Sequence, residues 1–63
     1  METDRAELSA LATSVDEVTR RVTAAADRLR GTARDDIAQG LYEVERSLLT
    51  AARKLDRVLR DMR

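Results

Sequence analysis

The 63-residue chain has 12 positive and 12 negative side chains, so it lacks the basic excess that accompanies non-specific nucleic-acid binding. It has no cysteine and no histidine, which excludes disulfides, thiolate metal sites and histidine-based catalysis. The absence of proline, the single aromatic residue Tyr42 and the abundance of alanine, leucine and arginine predict an all-α chain.

The first half of the chain predicts one long amphipathic helix over about residues 3–30. Its apolar residues recur at alternating spacings of three and four, the pattern of a heptad repeat abcdefg with apolar a and d positions. Position a holds Leu8, Val15, Val22 and Leu29, and position d holds Leu11, Val18 and Ala25.

A break in this register near Gly31 predicts a turn at about residues 31–32. Continuing the first heptad would place two polar residues, Asp36 and Gln39, at core positions. Glycine is the preferred residue just after a helix, and Thr32-Ala33-Arg34-Asp35 has the pattern of a capping box with Asp in place of Glu. A single continuous helix that absorbs the phase change is the alternative interpretation.

A second helix is expected over about residues 33–62. Its a positions are Leu41, Leu48, Leu55 and Met62, and its d positions are Ile37, Val44, Ala51 and Val58. When the chain folds back, each a position meets a d position of the other helix. The sequence therefore predicts one antiparallel two-helix hairpin over residues 1–63, closed by a coiled-coil seam of a and d residues, with helices on the order of 42 Å long.

One flank of this seam indicates association with a partner. The e positions are mostly small or apolar, and Tyr42 and Leu49 widen that surface on the second helix. A hairpin of this size is expected to be marginal alone, so we expect a homodimeric four-helix bundle or a bundle completed by another helical protein. The expected interface is Ala12, Thr19, Ala26, Ala38, Tyr42, Glu45, Leu49, Ala52 and Leu59.

Three members of this set have a simpler alternative interpretation. Tyr42 and Leu49 are also explained as scattered surface hydrophobes, which folded proteins commonly carry. Glu45 either holds an arginine of the partner or, more simply, reaches water at the edge of the seam.

No pattern typical of catalysis is present, so we expect a non-enzymatic protein with no cofactor, no metal and no small-molecule substrate. Neither glycine lies in a phosphate-loop pattern. Glu43 and Glu45 are two residues apart and point to different helix faces, and Asp35 and Asp36 are explained by the start of the second helix. No segment is apolar for long enough to span a bilayer, and the acidic start METDRAEL differs from a signal peptide. A cytoplasmic location without a membrane partner is therefore expected.

An arginine ridge on the outward side of the second helix offers a different class of function. It consists of Arg46, Arg53, Arg57 and Arg60, and such a ridge could contact nucleic-acid phosphates. Glu43 and Asp56 lie at helical spacing from these arginines, and no aromatic residue interleaves with them, which favours a solvated face.

In length and hairpin design the chain resembles the Rop-type plasmid regulators, which are dimeric four-helix bundles that bind RNA hairpins. The resemblance is architectural and rests on no residue motif. It implies the alternative function, a small regulatory nucleic-acid-binding bundle. The first expectation is a protein-protein interaction module that associates with itself or with another protein, and a third is a subunit that folds only on a larger partner.

Overall fold

A computed structural model describes residues 2–62 and shows a two-helix hairpin. Helix α1 spans Glu2–Leu29 and helix α2 spans Asp35–Asp61, and the two pack against each other. The described residues contain no strand, and the hairpin measures 49 Å along its length. The all-helical hairpin is confirmed, and the alternative of one continuous helix is wrong.

The turn covers residues 30–34 and is longer than the predicted turn at 31–32. Gly31 has a φ of +76°, in the left-handed region that glycine enters without a steric penalty. The Thr32 backbone N–H and hydroxyl both donate to the Leu29 carbonyl, at 3.1 and 2.5 Å. These two bonds satisfy a carbonyl that the end of α1 would otherwise leave without a partner.

The predicted capping box is wrong in its pairing, although both of its polar residues hold the turn. The Thr32 hydroxyl accepts the Arg34 N–H at 3.1 Å, and the Asp35 carboxylate accepts the Gly31 N–H at 2.7 Å. A capping box would instead join Thr32 and Asp35 reciprocally. The difference arises because α2 begins at Asp35, so Thr32 lies before the N-cap residue Arg34, which makes no side-chain cap.

The helices meet along a and e positions, which corrects the predicted a/d seam. The residues fully shielded from solvent are Ala26 and Ala38, and Thr19 is also buried; Ala26 and Thr19 are e residues of α1, and Ala38 is an e residue of α2. The a residues beside them are half-buried. The packed stripe is Leu8, Ala12, Val15, Thr19, Val22, Ala26 and Leu29 on α1, and Ala38, Leu41, Glu45, Leu48, Ala52, Leu55, Leu59 and Met62 on α2.

Side-chain size explains why the e positions displace the d positions from this stripe. Interhelical distance depends on the side chains at the contact, and small ones let two helices approach closely. Ala12, Ala26, Ala38 and Ala52 provide such contacts, whereas the d positions include larger leucine, isoleucine and valine residues. Position d lies about 80° around the helix from the centre of an a/e stripe, so it faces away from the contact.

The two glycines make a matched test of this turn. Neither has an atom within 4 Å of an added Cβ, so an alanine at either position meets no steric obstacle. We expect Gly31→Ala to lower the free energy of unfolding by about 1–2 kcal/mol because of its positive φ. Gly40→Ala, inside α2, is expected to raise it by about 0.5–1 kcal/mol. Urea denaturation at one protein concentration measures both, and stabilisation by both substitutions would contradict the turn geometry.

Candidate protein interface

The most exposed apolar surface of the hairpin is its row of d residues, which we call the aliphatic face. The larger members are between 40% and 49% exposed, and two alanines lie among them. Residues of both helices contribute, because equivalent heptad positions of two antiparallel helices lie on the same side of the pair. The aliphatic face is Leu11, Val18 and Ala25 on α1 with Ile37, Val44, Ala51 and Val58 on α2.

An open groove runs between the helices on this side. Its volume is about 480 Å³, and its apolar lining includes Val18 and Ala25 from the aliphatic face and Leu41 from the packed stripe of α2. Arg21 and Arg28, at g positions of α1, also line it. Six of the seven residues that line the groove belong to α1, so it lies mainly along the α1 side of the aliphatic face.

Charged residues at g positions line the rim of the aliphatic face, and the sign of their charge changes along the hairpin. At the open end of the hairpin the g positions are acidic, with Glu7 on α1 and Asp61 on α2. Toward the turn the α1 rim becomes basic, with Arg21 and Arg28. All four are exposed, and so is Lys54, the remaining charged g residue of α2. The rim of α1 therefore runs from acidic at the open end to basic near the turn.

The opposite face of the hairpin is polar and is tied together by side-chain hydrogen bonds. Thr23 of α1 donates to the Glu45 carboxylate of α2, and the Tyr42 hydroxyl donates to Asp27 Oδ1 at 2.5 Å. Leu49, at a b position, is exposed on this side. The b positions around it are mostly polar, so Leu49 is not part of an extended apolar surface.

The sequence-predicted interface residues are therefore divided between the interior and the polar face. Seven of them lie in the packed stripe within the hairpin, three buried and four half-buried: Thr19, Ala26 and Ala38, and Ala12, Glu45, Ala52 and Leu59. Glu45 is half-buried and accepts the Thr23 hydroxyl, so its partner lies within the chain. The structure does not bring the nine residues together as one exposed surface.

The d residues, which the sequence predicts in the interior, form the exposed surface instead. The useful signal was the size of the side chains on either side of position a. Five of the seven e residues in the predicted interface are alanine or threonine, which favour close helix contact, the others being Glu45 and Leu59. The d positions carry the β-branched apolar residues Val18, Ile37, Val44 and Val58. The e positions, with the smaller side chains, close the hairpin together with the a positions, and the d positions form the exposed flank.

The arginine ridge lies on the outward side of α2. Arg46, Arg53, Arg57 and Arg60 are all exposed, and the Arg53 guanidinium donates to Thr50 Oγ1 at 3.4 Å. The ridge does not overlap the aliphatic face. A contact between these arginines and nucleic acid stays a prediction.

The described residues offer neither a metal site nor a membrane-spanning helix. Across residues 2–62, no group of three or more histidine, cysteine or acidic side chains is placed to hold a metal ion, and neither helix meets the length and hydropathy needed to cross a membrane. Comparison with protein-family models, curated proteins and solved structures found no match. Functional inference therefore depends on the surface of the hairpin.

The contact between Tyr42 and Asp27 perturbs the phenol. The hydrogen bond to the Asp27 carboxylate raises the pKa of Tyr42 above 10.0, and partial desolvation and the negative charge of Asp27 raise it further. Arg30 lowers this pKa and Glu45 raises it. Because the folded-state pKa is above that of the unfolded chain, the associated stability is present below about pH 10 and is lost as the pH rises through the folded-state value.

Tyr42 is the only aromatic residue, so the ultraviolet absorbance of tyrosinate reports this group alone. We expect the titration midpoint to lie above 10.0 in the wild-type chain and to fall toward 10.0 in Asp27→Ala, which removes both the hydrogen bond and the charge. Asp36→Ala removes an acid from the first turn of α2 and serves as the control. Equal midpoints in the wild type and Asp27→Ala would contradict the contact.

Proposed function

We propose that the chain is a non-enzymatic association module that completes its hydrophobic core by burying the aliphatic face against helices of another chain. The observation that carries the proposal is the exposure of Leu11, Val18, Ile37, Val44 and Val58 on one side of the hairpin. Contiguous apolar surfaces with a charged rim are typical of protein-protein interaction sites.

Burial within the hairpin supports the same proposal. No large side chain among residues 2–62 is fully buried, and the buried apolar residues of this part of the chain are two alanines, Ala26 and Ala38. Full burial of one large aliphatic side chain is worth about 1.5–3 kcal/mol, so much of this driving force is unused in the isolated hairpin. A chain this small ordinarily needs such a gain to fold firmly.

The shape of the surface favours a helical partner. The aliphatic face follows two straight helices over a hairpin 49 Å long, and its side chains recur at heptad spacing. Helices with the same periodicity place their apolar side chains between those of the hairpin along its whole length. A four-helix bundle is the arrangement that covers both α1 and α2.

Val44 and Leu49 provide matched substitutions, because they are 45% and 44% exposed on opposite sides of α2. We expect Val44→Glu to weaken association at least about tenfold, since about 1.4 kcal/mol corresponds to a factor of ten and a buried unpaired carboxylate costs more than that. Leu49→Glu is expected to leave association within about threefold of the wild type. Sedimentation equilibrium of the purified chain over a concentration series measures the difference.

Two results would contradict this surface. Equal weakening by Val44→Glu and Leu49→Glu would mean that the aliphatic face has no special role. Weakening by Leu49→Glu alone would assign association to the face that carries Leu49. Circular dichroism of the same samples shows whether each variant keeps its helices, so that loss of folding is separated from loss of association.

A further inference from the structure

We infer that the occupant of the aliphatic face is a second copy of this chain, docked face to face with the two turns at opposite ends. The inference rests on the proposed function and adds the identity and orientation of the partner. It follows from the order of large and small side chains along the face, from the order of charges on its rim and from the area available.

On α1 the aliphatic face is self-complementary about Val18. Leu11 and Ala25 lie seven residues to either side of it. When two copies of α1 run antiparallel about a two-fold axis at Val18, Leu11 packs against the partner's Ala25, and Val18 packs against the partner's Val18. A large side chain therefore meets a small one on each side of the axis, which is the interdigitation that close packing needs.

The same axis serves α2. Antiparallel pairing of two α2 helices about the midpoint of residues 47 and 48 places Val44 against the partner's Ala51 and Ile37 against the partner's Val58. The contacts of Thr23 with Glu45 and of Tyr42 with Asp27 fix the register of the hairpin. By that register Val18 and residues 47–48 lie level to within about one helical turn, so one axis passes between both pairs.

The rim charges distinguish this orientation from the one with both turns at the same end. With the turns at opposite ends, α1 runs beside the partner's α1, and Glu7 lies level with the partner's Arg28. With the turns at the same end, α1 runs beside the partner's α2, and Glu7 lies level with the partner's Asp61. Opposite charges favour the first arrangement and like charges oppose the second, because rim charges contribute mainly to orientation.

The available area agrees with a stable dimer. The hairpin measures 49 Å by 15 Å across its broad side. A specific protein-protein interface buries on the order of 800 Å² per partner, which a face of these dimensions supplies when it is covered along its length. A second copy has a face of the same length, and therefore leaves no part of the aliphatic row exposed.

The orientation is tested by cysteine cross-linking, for which the chain is suited because it has no cysteine of its own. Val18→Cys on α1 and Ser47→Cys on α2 each place a thiol beside the proposed axis, facing the same thiol of the second copy. Thr13→Cys places an exposed thiol on the outward side of α1 and serves as the control. We expect covalent dimers of Val18→Cys and Ser47→Cys to form under mild oxidation at least about ten times faster than those of Thr13→Cys.

The possible results separate this inference from the proposed function. A wild-type chain that stays monomeric while helical at every concentration overturns the second copy as the occupant. A dimer that Val44→Glu dissociates, but in which Val18→Cys and Ser47→Cys cross-link no faster than Thr13→Cys, overturns the orientation and leaves the association surface in place. Because the two cysteines lie on different helices, local disruption by one of them leaves the other as an independent reading.

Discussion

Close packing of α1 on α2 through small side chains determines the remaining surface of this hairpin. Ala26 and Ala38 are fully shielded because the helices meet along their e positions, with the larger a residues half-buried beside them. Alanine supplies close contact but little buried apolar area. The contact that closes the hairpin therefore buries little apolar surface.

The aliphatic face is a geometric consequence of that contact. In an α-helix the d positions lie on the other side of a from the e positions, so a helix pair closed through a and e presents its d residues to one side. The polar face, where Tyr42 bonds Asp27, lies on the other side and is satisfied within the chain. Side chains of the polar face form hydrogen bonds within the chain, whereas the aliphatic face exposes leucine, isoleucine and valine. The proposed association depends on this difference between the two sides.

The sequence predicted the helices, the place of the turn and the antiparallel hairpin, because heptad spacing and Gly31 act locally along the chain. It did not predict which stripe closes the hairpin. Positions d and e flank the same a residues, so periodicity alone permits either pair, and the choice depends on how closely Ala12, Ala26, Ala38 and Ala52 let two helices approach. Because periodicity does not distinguish the two pairs, the sequence predicts a seam of a and d residues and an interface that is mostly at e positions. The hydrogen bonds of the turn also differ from the predicted capping box. Thr32 and Asp35 accept backbone N–H groups of Arg34 and Gly31 and do not cap each other's backbone, because α2 begins later than the sequence predicts.

The most direct test of this packing is the exposure of individual methyl groups to a soluble paramagnetic agent, measured by nuclear magnetic resonance over a concentration series. We expect the Ala26 and Ala38 methyls to stay protected at every concentration. The Val18 and Val44 methyls are expected to be relaxed by the agent in dilute samples and to become protected as the chains associate. Protected valine methyls and accessible alanine methyls in the dissociated chain would show that the a and d positions close the hairpin, and would contradict the account.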